Sequence, residues 1–519
     1  PEYWKQSARK TIQDAVRMQK NTNKAKNVIL FLGDGMGVST LTPARILKGQ
    51  MRNKSGEEEH LSWDKFPHVA FSKTYNQDHQ TPDSAGTATA FLTGVKTNMG
   101  MLGVDARTTK GDCASAQGAE IYSIGKWSLD QGKKVGVVTT ARVTHATPGG
   151  LYAHTPHRDW EGDANLPKTG AEQCKDIAKQ LIDDNADMSV IMGGGRRYFL
   201  PSDVEDFERG DNSKLGRRDG RNLITEWQNE KEARNLKFKF VWNATEFHEV
   251  NPDTTDYLLG LFESSHMQFE ADRTDPKYET AGEPSLAEMT EKAIRILRKD
   301  PDGFFLLVEG GRIDHGHHET KAYKALRDTI AMEEAVAKAV ELTSEQDTLI
   351  VVTADHSHAF AMGGYPSRGN PILGLTDKNG KIALDNDNYT YTTLVYGNGP
   401  GFDDHRFKNN TRLNLTDEHT SNKEYRQMTA LPLGYETHGG EDVGIFARGP
   451  WSHLFHGVHQ QNYIPHVMAF ASCVGDYKLD KDCAASYSNT NTSNRGSSNF
   501  INIPLSFYFV MLIVFVYLR

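Results

Sequence analysis

Several short apolar segments, rich in β-branched residues, are the feature that most constrains how this 519-residue chain folds. Their length and composition are typical of buried strands in a parallel sheet, at Asn27–Asp34, Lys134–Thr140, Ser189–Gly195, Gly303–Gly311 and Thr348–His358. Segments with helical periodicity lie between them, among them Glu288–Asp300 and Ala325–Thr343. Strand–helix alternation with right-handed crossovers predicts an α/β fold, in which a large, mostly parallel sheet carries helices on both faces.

Composition argues for one large domain and against a nucleic-acid partner. Length alone suggests roughly three domains, but long linkers rich in Gly, Ser or Pro are missing. A single α/β domain with insertions fits this composition better. The 59 basic and 68 acidic residues give a net charge of -9. They form no basic stripe of the kind that nucleic-acid-binding proteins show.

Polar side chains follow the apolar segments at the place where open parallel sheets bind their ligands, beyond the carboxyl ends of the strands. Asp34, Glu309 and Asp355 with its neighbour His356 end three of the segments, and His145 and Thr147 follow a fourth. Asp and Thr are also ordinary turn residues. Four strands that end in metal-competent side chains nevertheless favour a cluster of metal ions at this edge.

The segment RIDHGHHE, Arg312–Glu319, holds an aspartate and three histidines within five consecutive positions. In a helix, Asp314 and His318 are four residues apart and point from one face. Zinc accepts both carboxylate oxygen and imidazole nitrogen as ligands. His438, in the loop ETHGGED, is a candidate to complete the site. A closed structural zinc site is the alternative, but such sites usually have four protein ligands and are rich in Cys.

The segment TPDSAGTATAFLTG, Thr81–Gly94, places Ser84 at the start of a run of small residues. A serine at a helix N-terminus presents its hydroxyl at the positive end of the helix dipole, where backbone N–H groups favour an anion such as phosphate. Asp83 or Ser84 serving only as a helix cap is the simpler interpretation. It is compatible with a nucleophilic role for Ser84. The Gly-x-Ser-x-Gly motif of α/β-hydrolases is not present here.

Cysteines and glycosylation sequons indicate a secreted protein. The four cysteines allow three pairings, and two disulfides are the natural expectation in a secreted chain. Asn-x-Ser/Thr sequons start at Asn53, Asn243, Asn388, Asn409, Asn414 and Asn491, the first five being the glycosylation candidates. The chain begins without Met, which is consistent with a signal peptide already removed.

The C-terminal segment, residues 493–519, joins small polar residues to the apolar block Leu505–Leu518. That block is shorter than the ~20 apolar residues of a membrane-spanning helix. The pattern predicts a GPI-attachment signal that is removed on maturation, with attachment at Ser493, Asn494 or Gly496. A tail-anchored transmembrane helix is the alternative. We expect the mature protein at the extracellular face of the cell membrane.

Taken together, the motifs resemble those of the animal-type, membrane-bound alkaline phosphatases. The resemblance runs from about Ala25 to Cys483 and is carried by GDGMG, PDSAGTATA, YAHTPHRDW, VEGGRIDHGHHE, TADHSH and THGGED. It implies a homodimeric glycoprotein, GPI-anchored, that hydrolyses phosphate monoesters at alkaline pH. It also implies a phosphoserine intermediate on Ser84, two zinc ions and one magnesium ion.

The resemblance gives each metal ion a set of ligands. The first zinc ion takes Asp314, His318 and His438, and the second, which faces Ser84, takes Asp34, Asp355 and His356. Asp34 also reaches magnesium, whose other protein ligands are Thr147 and Glu309. Arg158, in HTPHRDW, binds the phosphate. His145 lies near magnesium, while His315 and His317 lie in or near the pocket without binding zinc.

The resemblance also extends to features away from the site. It pairs Cys113 with Cys174 and Cys473 with Cys483. Residues 1–25 correspond to a helical arm that packs on the partner subunit, although an amphipathic helix on its own core is the simpler interpretation. Residues 26–492 form the catalytic domain, with a crown insertion at about 366–432 at the dimer interface. A peripheral calcium site is expected from four residues, Asp206, Phe262, Glu263 and Glu283, with oxygen ligands as calcium prefers.

Other functions on the same scaffold are the competing interpretations. Sulfatases and phosphodiesterases of the superfamily share the sheet and the metal ligands. Sulfatases need a cysteine or modified serine in a Cys/Ser-x-Pro-x-Arg context, and the diesterases commonly use threonine, whereas Ser84 precedes Ala-Gly-Thr-Ala. A GPI-anchored binding or receptor protein is the alternative from another class. Every position expected of the enzyme is filled, which favours catalysis.

Overall fold

The computed structural model describes residues 1–169, 173–208, 216–275, 282–406, 411–416, 418–480 and 483. The strands are β1 Asn27–Gly33, β2 His68–Lys73, β3 Lys134–Arg142, β4 Val190–Gly194, β5 Phe238–Val241, β6 Tyr257–Leu261, β7 Phe304–Gly310, β8 Thr348–Ala354, β9 Ser357–His358, β10 Phe360–Met362, β11 Asp377–Lys378, β12 Lys381–Ile382, β13 Leu394–Gly399, β14 Thr429–Pro432, β15 His438–Gly439, β16 Val443–Arg448 and β17 Gly457–Gln460.

The α-helices in the same ranges are α1 Glu2–Arg17, α2 Val38–Gln50, α3 Ser84–Thr93, α4 Cys113–Ala116, α5 Ile124–Leu129, α6 Ala146–Gly149, α7 Ile177–Asp183, α8 Leu223–Ala233, α9 Ala244–Glu249, α10 Leu286–Leu297, α11 Arg312–His318, α12 Ala322–Leu342, α13 Gly401–Asp404 and α14 Tyr463–Ser472. None of these described helices combines the length and apolar character needed to cross a membrane.

A ten-stranded sheet organises the chain, in the order β17-β2-β16-β8-β1-β7-β3-β4-β6-β5. The strands from β8 to β5 run parallel, whereas β16 is antiparallel to both of its neighbours, β8 and β2. The predicted mostly parallel α/β sheet is therefore confirmed. The central strands β8, β1, β7 and β3 are those whose carboxyl ends were expected to carry the metal ligands.

Both faces of the sheet are covered, because alternate residues of each strand enter different hydrophobic clusters. Along β1, Leu30 and Leu32 pack in one cluster while Ile29 and Phe31 pack in the other. Residues of α3, α5, α7, α8 and α14 complete the first cluster, and residues of α10 and α12 complete the second. This burial explains the continuous apolar segments, since a strand covered on both faces has no solvent side.

Two segments lie outside these two hydrophobic clusters. No residue of α1 is buried, and Tyr3, Trp4, Ile12 and Val16 are exposed on it, so α1 does not pack on its own core. Within residues 366–432, which are expected to form the crown, β13 and β14 join β10 in a separate small sheet, and β11 pairs with β12.

Candidate active site

The carboxyl edge of the central strands gathers the predicted ligands. Asp34 directly follows β1, Glu309 lies at the end of β7, and Asp355 directly follows β8. All three carboxylates are fully buried. Thr147 lies in the short helix α6, which follows β3, and His145 immediately precedes that helix. The four strands therefore deliver their polar side chains to one place, as the sequence predicted.

Asp34, Asp355 and His356 form the first of three groups of ligand atoms. One ligand atom from each lies within 4.8 Å of the other two. The His356 Nε2 atom is 3.5 Å from Asp34 Oδ1 and 3.1 Å from Asp355 Oδ2. The Ser84 hydroxyl lies against the same group, 3.3 Å from Asp34 Oδ1 and 3.2 Å from His356 Nε2. A cation held here would face the serine oxygen.

Asp314, His318 and His438 form the second group. The segment Arg312–His318 is helical, as predicted, and His318 Nε2 is 3.3 Å from Asp314 Oδ1 across one turn. His438 reaches the same place because β15 pairs with β9. Its Nε2 atom is 3.3 Å from Asp314 Oδ1 and 3.1 Å from His318 Nε2. All three residues expected at the first zinc ion therefore converge.

Asp34 also belongs to the third group, with Glu309 and His145, whose ligand atoms again lie within 4.8 Å of one another. The hydroxyls of Thr139 and Thr147 both lie against the Glu309 carboxylate. The Oδ2 atom of Asp34 is buried and accepts no hydrogen bond from any residue that the structure describes. An oxygen-rich group of this kind suits magnesium.

The electrostatics of these groups fit divalent cations. Burial, together with repulsion from Asp355, Asp314 and Glu309, raises the pKa of Asp34 well above its usual value. Burial likewise raises the pKa of Glu309 to about 7 and that of Asp355 to about 6. Crowded, buried carboxylates are costly unless a cation compensates them.

The imidazoles are also oriented for metal ions. The Nδ1 atoms of His318, His356 and His438 lie 2.5, 3.2 and 2.8 Å from the backbone carbonyl oxygens of Glu436, Ser357 and Pro82. A metal-binding histidine characteristically donates its second N–H to such an acceptor. The Nε2 atoms therefore remain free to bind metal, and the donor set fits the zinc ions that the resemblance implies.

Ser84 begins α3, and its neighbour Asp83 is the N-cap. Asp83 accepts a hydrogen bond from the Gly86 N–H at 3.1 Å, so the capping role belongs to Asp83 and leaves the Ser84 hydroxyl free for other partners. The Asp83 carboxylate also pairs with Arg158 Nη1 at 3.1 Å. Arg158 Nη2 donates to His145 Nε2 at 3.2 Å. Arg158 is thus held beside the serine from two sides.

His358 and Glu436 are site residues that the sequence reasoning missed. His358 Nε2 lies 2.9 Å from Asp314 Oδ1, and its Nδ1 atom contacts the Glu436 carboxylate. Burial opposes protonation of this imidazole, but Glu436 and Asp314 outweigh burial and raise the pKa of His358 to about 10. The spacing of His356 and His358 was an available signal, since alternate residues of an extended segment share a face.

His266 is a second residue that the sequence reasoning missed. It lies in the loop after β6, and its ring packs on those of His145 and His315, at centroid distances of 5.2 and 4.2 Å. No spacing in the sequence links it to either ring. His315 accepts from Arg312 at 2.9 Å, while His317 is buried between Tyr396 and Thr40, at 2.8 and 2.9 Å.

The residues expected at the peripheral calcium site lie in one region. Glu263 and Glu283 both contact Gln268, at 2.8 and 3.0 Å, and Phe262 is buried directly after β6. The carboxylate of Asp206 pairs with the Arg196 guanidinium at 3.0 and 2.7 Å. The calcium site stays a prediction.

The expected disulfides Cys113–Cys174 and Cys473–Cys483 are both present. Of the sequon asparagines, Asn53, Asn388 and Asn414 are exposed and Asn243 is partly buried. Asn409, Asn491 and the anchor candidates Ser493, Asn494 and Gly496 lie outside the described residues.

Comparison with known proteins agrees with the fold and shows the family. The family model described as "Alkaline phosphatase" matches residues 25–474. The chain is 53% identical to the tissue-nonspecific alkaline phosphatase isozyme of Rattus norvegicus over 92% of this chain and 89% of that protein. It is 52% identical to the Homo sapiens isozyme over the same shares, and 50% identical to an alkaline phosphatase of Gadus morhua over 92% of this chain and 98% of that protein.

Solved structures support the same fold. The alkaline phosphatase of Thermus thermophilus superposes with a TM-score of 0.60 at 21% identity, over 87% of this chain and 92% of that one. That of the Antarctic bacterium TAB5 gives a TM-score of 0.56 at 21% identity, over 88% of this chain and all of that one. The family model and these relatives show a hydrolytic enzyme with an α/β fold. The chain belongs to the alkaline phosphatase family.

Proposed function

We propose that this chain hydrolyses phosphate monoesters through a phosphoserine intermediate on Ser84. The observation that carries the proposal is the position of the Ser84 oxygen, 3.3 Å from Asp34 Oδ1 and 3.2 Å from His356 Nε2 at the N-terminus of α3. A buried hydroxyl between two metal-competent side chains is placed for activation as a nucleophile.

The residues would divide the reaction into two displacements. The Ser84 hydroxyl gives up its proton, its oxygen forms a bond to phosphorus, and the ester bond to the leaving alcohol breaks, with a proton going to the alkoxide. The oxygen of a water molecule then bonds to phosphorus and the Ser84 Oγ–P bond breaks. Inorganic phosphate is released, and one proton of the water goes to the Ser84 oxygen. Arg158 offers two N–H groups to the phosphate oxygens, a geometry that suits its planar fork.

Two zinc ions and one magnesium ion are the cofactors we propose. Asp314, His318 and His438 would hold one zinc ion, and Asp34, Asp355 and His356 the other. Asp34, Thr147 and Glu309 would hold magnesium. Bound divalent cations lower the pKa of a neighbouring hydroxyl and compensate charge on the phosphoryl oxygens.

Ser84→Ala tests the nucleophile directly. We expect no phosphoenzyme after reaction with ³²P-labelled monoester and acid quenching. Turnover of p-nitrophenyl phosphate at alkaline pH should fall by about 10³-fold or more, as when other enzymes lose their nucleophile. Ser128→Ala is a matched control, since Ser128 is a buried serine of α5. A phosphoenzyme that persists in the Ser84 variant would disprove the assignment.

Substrate class is tested on the metal-replete enzyme with p-nitrophenyl phosphate, the matching sulfate and a phosphodiester. We expect the monoester to be the fastest by orders of magnitude, with activity lost on chelation and regained with zinc and magnesium. Faster hydrolysis of the sulfate or the diester would indicate the activity of a neighbouring family. Inactivity toward all three would favour a binding protein.

We further propose a GPI-anchored homodimer at the extracellular face of the membrane. The exposed apolar residues of α1 support a partner subunit, and the disulfides and exposed sequon asparagines suit the secretory pathway. Phosphatidylinositol-specific phospholipase C should release the protein from membranes as a dimer. Retention with the apolar tail still attached would favour a transmembrane tail.

A further inference from the structure

The His145–His266–His315 cluster lies behind the phosphate-binding arginine. The three rings pack edge to face, with centroids 5.2 Å apart for His145 and His266, 5.6 Å for His145 and His315, and 4.2 Å for His266 and His315. His266 comes from the loop after β6, so it brings a separate part of the chain against the site. It reacts with no substrate atom in the proposed mechanism.

His266 is itself held against Arg142. Its Nδ1 atom is 3.3 Å from the backbone N of Arg142, and its Nε2 atom contacts the guanidinium of the same residue. Both Arg142 groups are donors and a neutral imidazole has one acceptor nitrogen, so one of these two contacts is a hydrogen bond. Arg142 is in turn held by two hydrogen bonds to Glu161, at 2.7 and 2.6 Å. The backbone N–H of the next residue, Met267, bonds to the Thr140 carbonyl at 3.0 Å. The ring therefore forms a fixed wall for its neighbours.

His145 has less support of its own. Its Nε2 atom accepts from Arg158 Nη2 at 3.2 Å, but its Nδ1 atom is buried and has no hydrogen-bond partner among the described residues. Hydrogen bonding thus fixes only one side of the ring. Packing against His266 and His315 fixes the rest.

Ring nitrogens in this cluster lie close enough together to suggest a metal site, but their partners argue against one. A metal-binding histidine donates its second N–H to an acceptor, as His318, His356 and His438 are placed to do. In the cluster, each ring instead has a nitrogen against a guanidinium donor, from Arg158, Arg142 or Arg312. Three neighbouring cationic side chains also disfavour a further cation.

We propose that His266 is a positioning residue for phosphate binding, which holds His145 by ring packing and, through His145, keeps Arg158 aligned. The inference rests on the proposed role of Arg158 in binding phosphate. If the His145 ring cannot turn, its Nε2 atom stays against the Arg158 guanidinium. The arginine is then held by His145 as well as by Asp83. The contribution should therefore appear in affinity for phosphate more than in the rate of the chemical step.

The test compares His266→Ala with His266→Phe in the metal-replete enzyme. The probe is inorganic phosphate, as a competitive inhibitor of p-nitrophenyl phosphate hydrolysis. We expect Ala to raise the inhibition constant and KM by about threefold to tenfold, the size of typical couplings between contacting residues, with kcat changed less than twofold. Phe keeps an aromatic ring in the place of the His266 ring, so this variant should keep most of the affinity for phosphate. His248→Ala, at an exposed histidine outside the cluster, is the control.

Further variants separate this inference from the proposals it rests on. In a His145→Ala background, His266→Ala should have no additional effect on the inhibition constant, and full additivity would overturn the inference. An unchanged constant in His266→Ala would also overturn it, provided that Arg158→Ala weakens phosphate binding. An Arg158→Ala variant with normal phosphate affinity would instead refute the role of Arg158. Loss of one metal ion from both His266 variants by elemental analysis would identify a metal ligand.

Discussion

Asp328 is a buried carboxyl of α12 whose protonation should tune stability. Burial raises the pKa of Asp328 to about 8, although Arg312 opposes the shift. Between pH ~4 and ~8 the folded protein binds a proton that the unfolded chain has lost, so this contribution to stability falls as pH rises through that window.

Asp328→Asn should therefore gain thermal stability relative to the natural protein as pH increases. The two proteins should have similar Tm values near pH 5, and the variant the higher Tm near pH 9, by calorimetry in metal-replete buffer. Asp253→Asn, at an exposed carboxylate, should show no such trend. A Tm difference between Asp328→Asn and the natural protein that does not depend on pH would refute the assignment.

The positions of individual candidate ligands could be predicted from sequence where the residues follow a recognisable strand or share a helical face. Asp34, Glu309 and Asp355 end buried strands, and Asp314 and His318 lie one helical turn apart. His266 was not predictable in this way, because it lies far from both of its ring partners in the chain. Its place depends on how the loop after β6 meets β3, which is a property of packing.

At the scale of elements, the junction between α11 and α12 positions Asp314 and His318, two of the residues proposed to hold the first zinc ion. Gly316 lies between Asp314 and His318, and a Cβ atom there would come within 2.6 Å of the Ala325 backbone nitrogen and 2.8 Å of its Cα. Backbone atoms cannot turn aside as a side chain can. A larger residue would therefore push α11 away from α12 and carry both ligands with it.

Gly316→Ala should reduce stability by about 1–3 kcal/mol, as overpacking of cores does, and should lower zinc retention. Zinc per chain after dialysis, measured by elemental analysis, checks this expectation. Gly363→Ala is the matched control, since nothing lies within 4 Å of a Cβ added there. Normal zinc content with an unchanged Tm would show that the junction tolerates a methyl group.

Element boundaries differ from the prediction where polar contacts interrupt the apolar pattern. The segment predicted as one strand, Thr348–His358, divides into β8 and β9. Asp355 turns the chain between them, since its Oδ1 atom accepts from the N–H groups of Gly35 and His356, both at 2.9 Å. Similarly, α10 begins at Leu286, because Ser285 and Glu288 form a reciprocal cap. The local sequence pattern predicts that such an element exists, but it does not predict the contacts that determine where the element ends.

At the scale of the whole molecule, we expect the stability of the fold to depend on the metal ions bound at the active site. In the metal-free protein the raised pKa values of Asp34, Glu309 and Asp355 mean that the folded state keeps protons that the unfolded chain loses above pH ~4. The contribution of these three carboxylates to stability should therefore fall as pH rises toward about 7, the pKa of Glu309. Bound cations would compensate the ionised carboxylates and remove this loss.

Chelation should accordingly lower Tm, and by more at pH 8 than at pH 5, because the uncompensated carboxylates ionise between these values. Binding to the folded state alone stabilises by mass action, about 4 kcal/mol when free metal exceeds its Kd a thousandfold. Calorimetry at both pH values, before chelation, after it and with zinc and magnesium restored, measures the effect. Both Tm losses should reverse with metal. Equal losses at the two pH values would show that the carboxylate cluster is not the origin of the coupling between metal binding and stability.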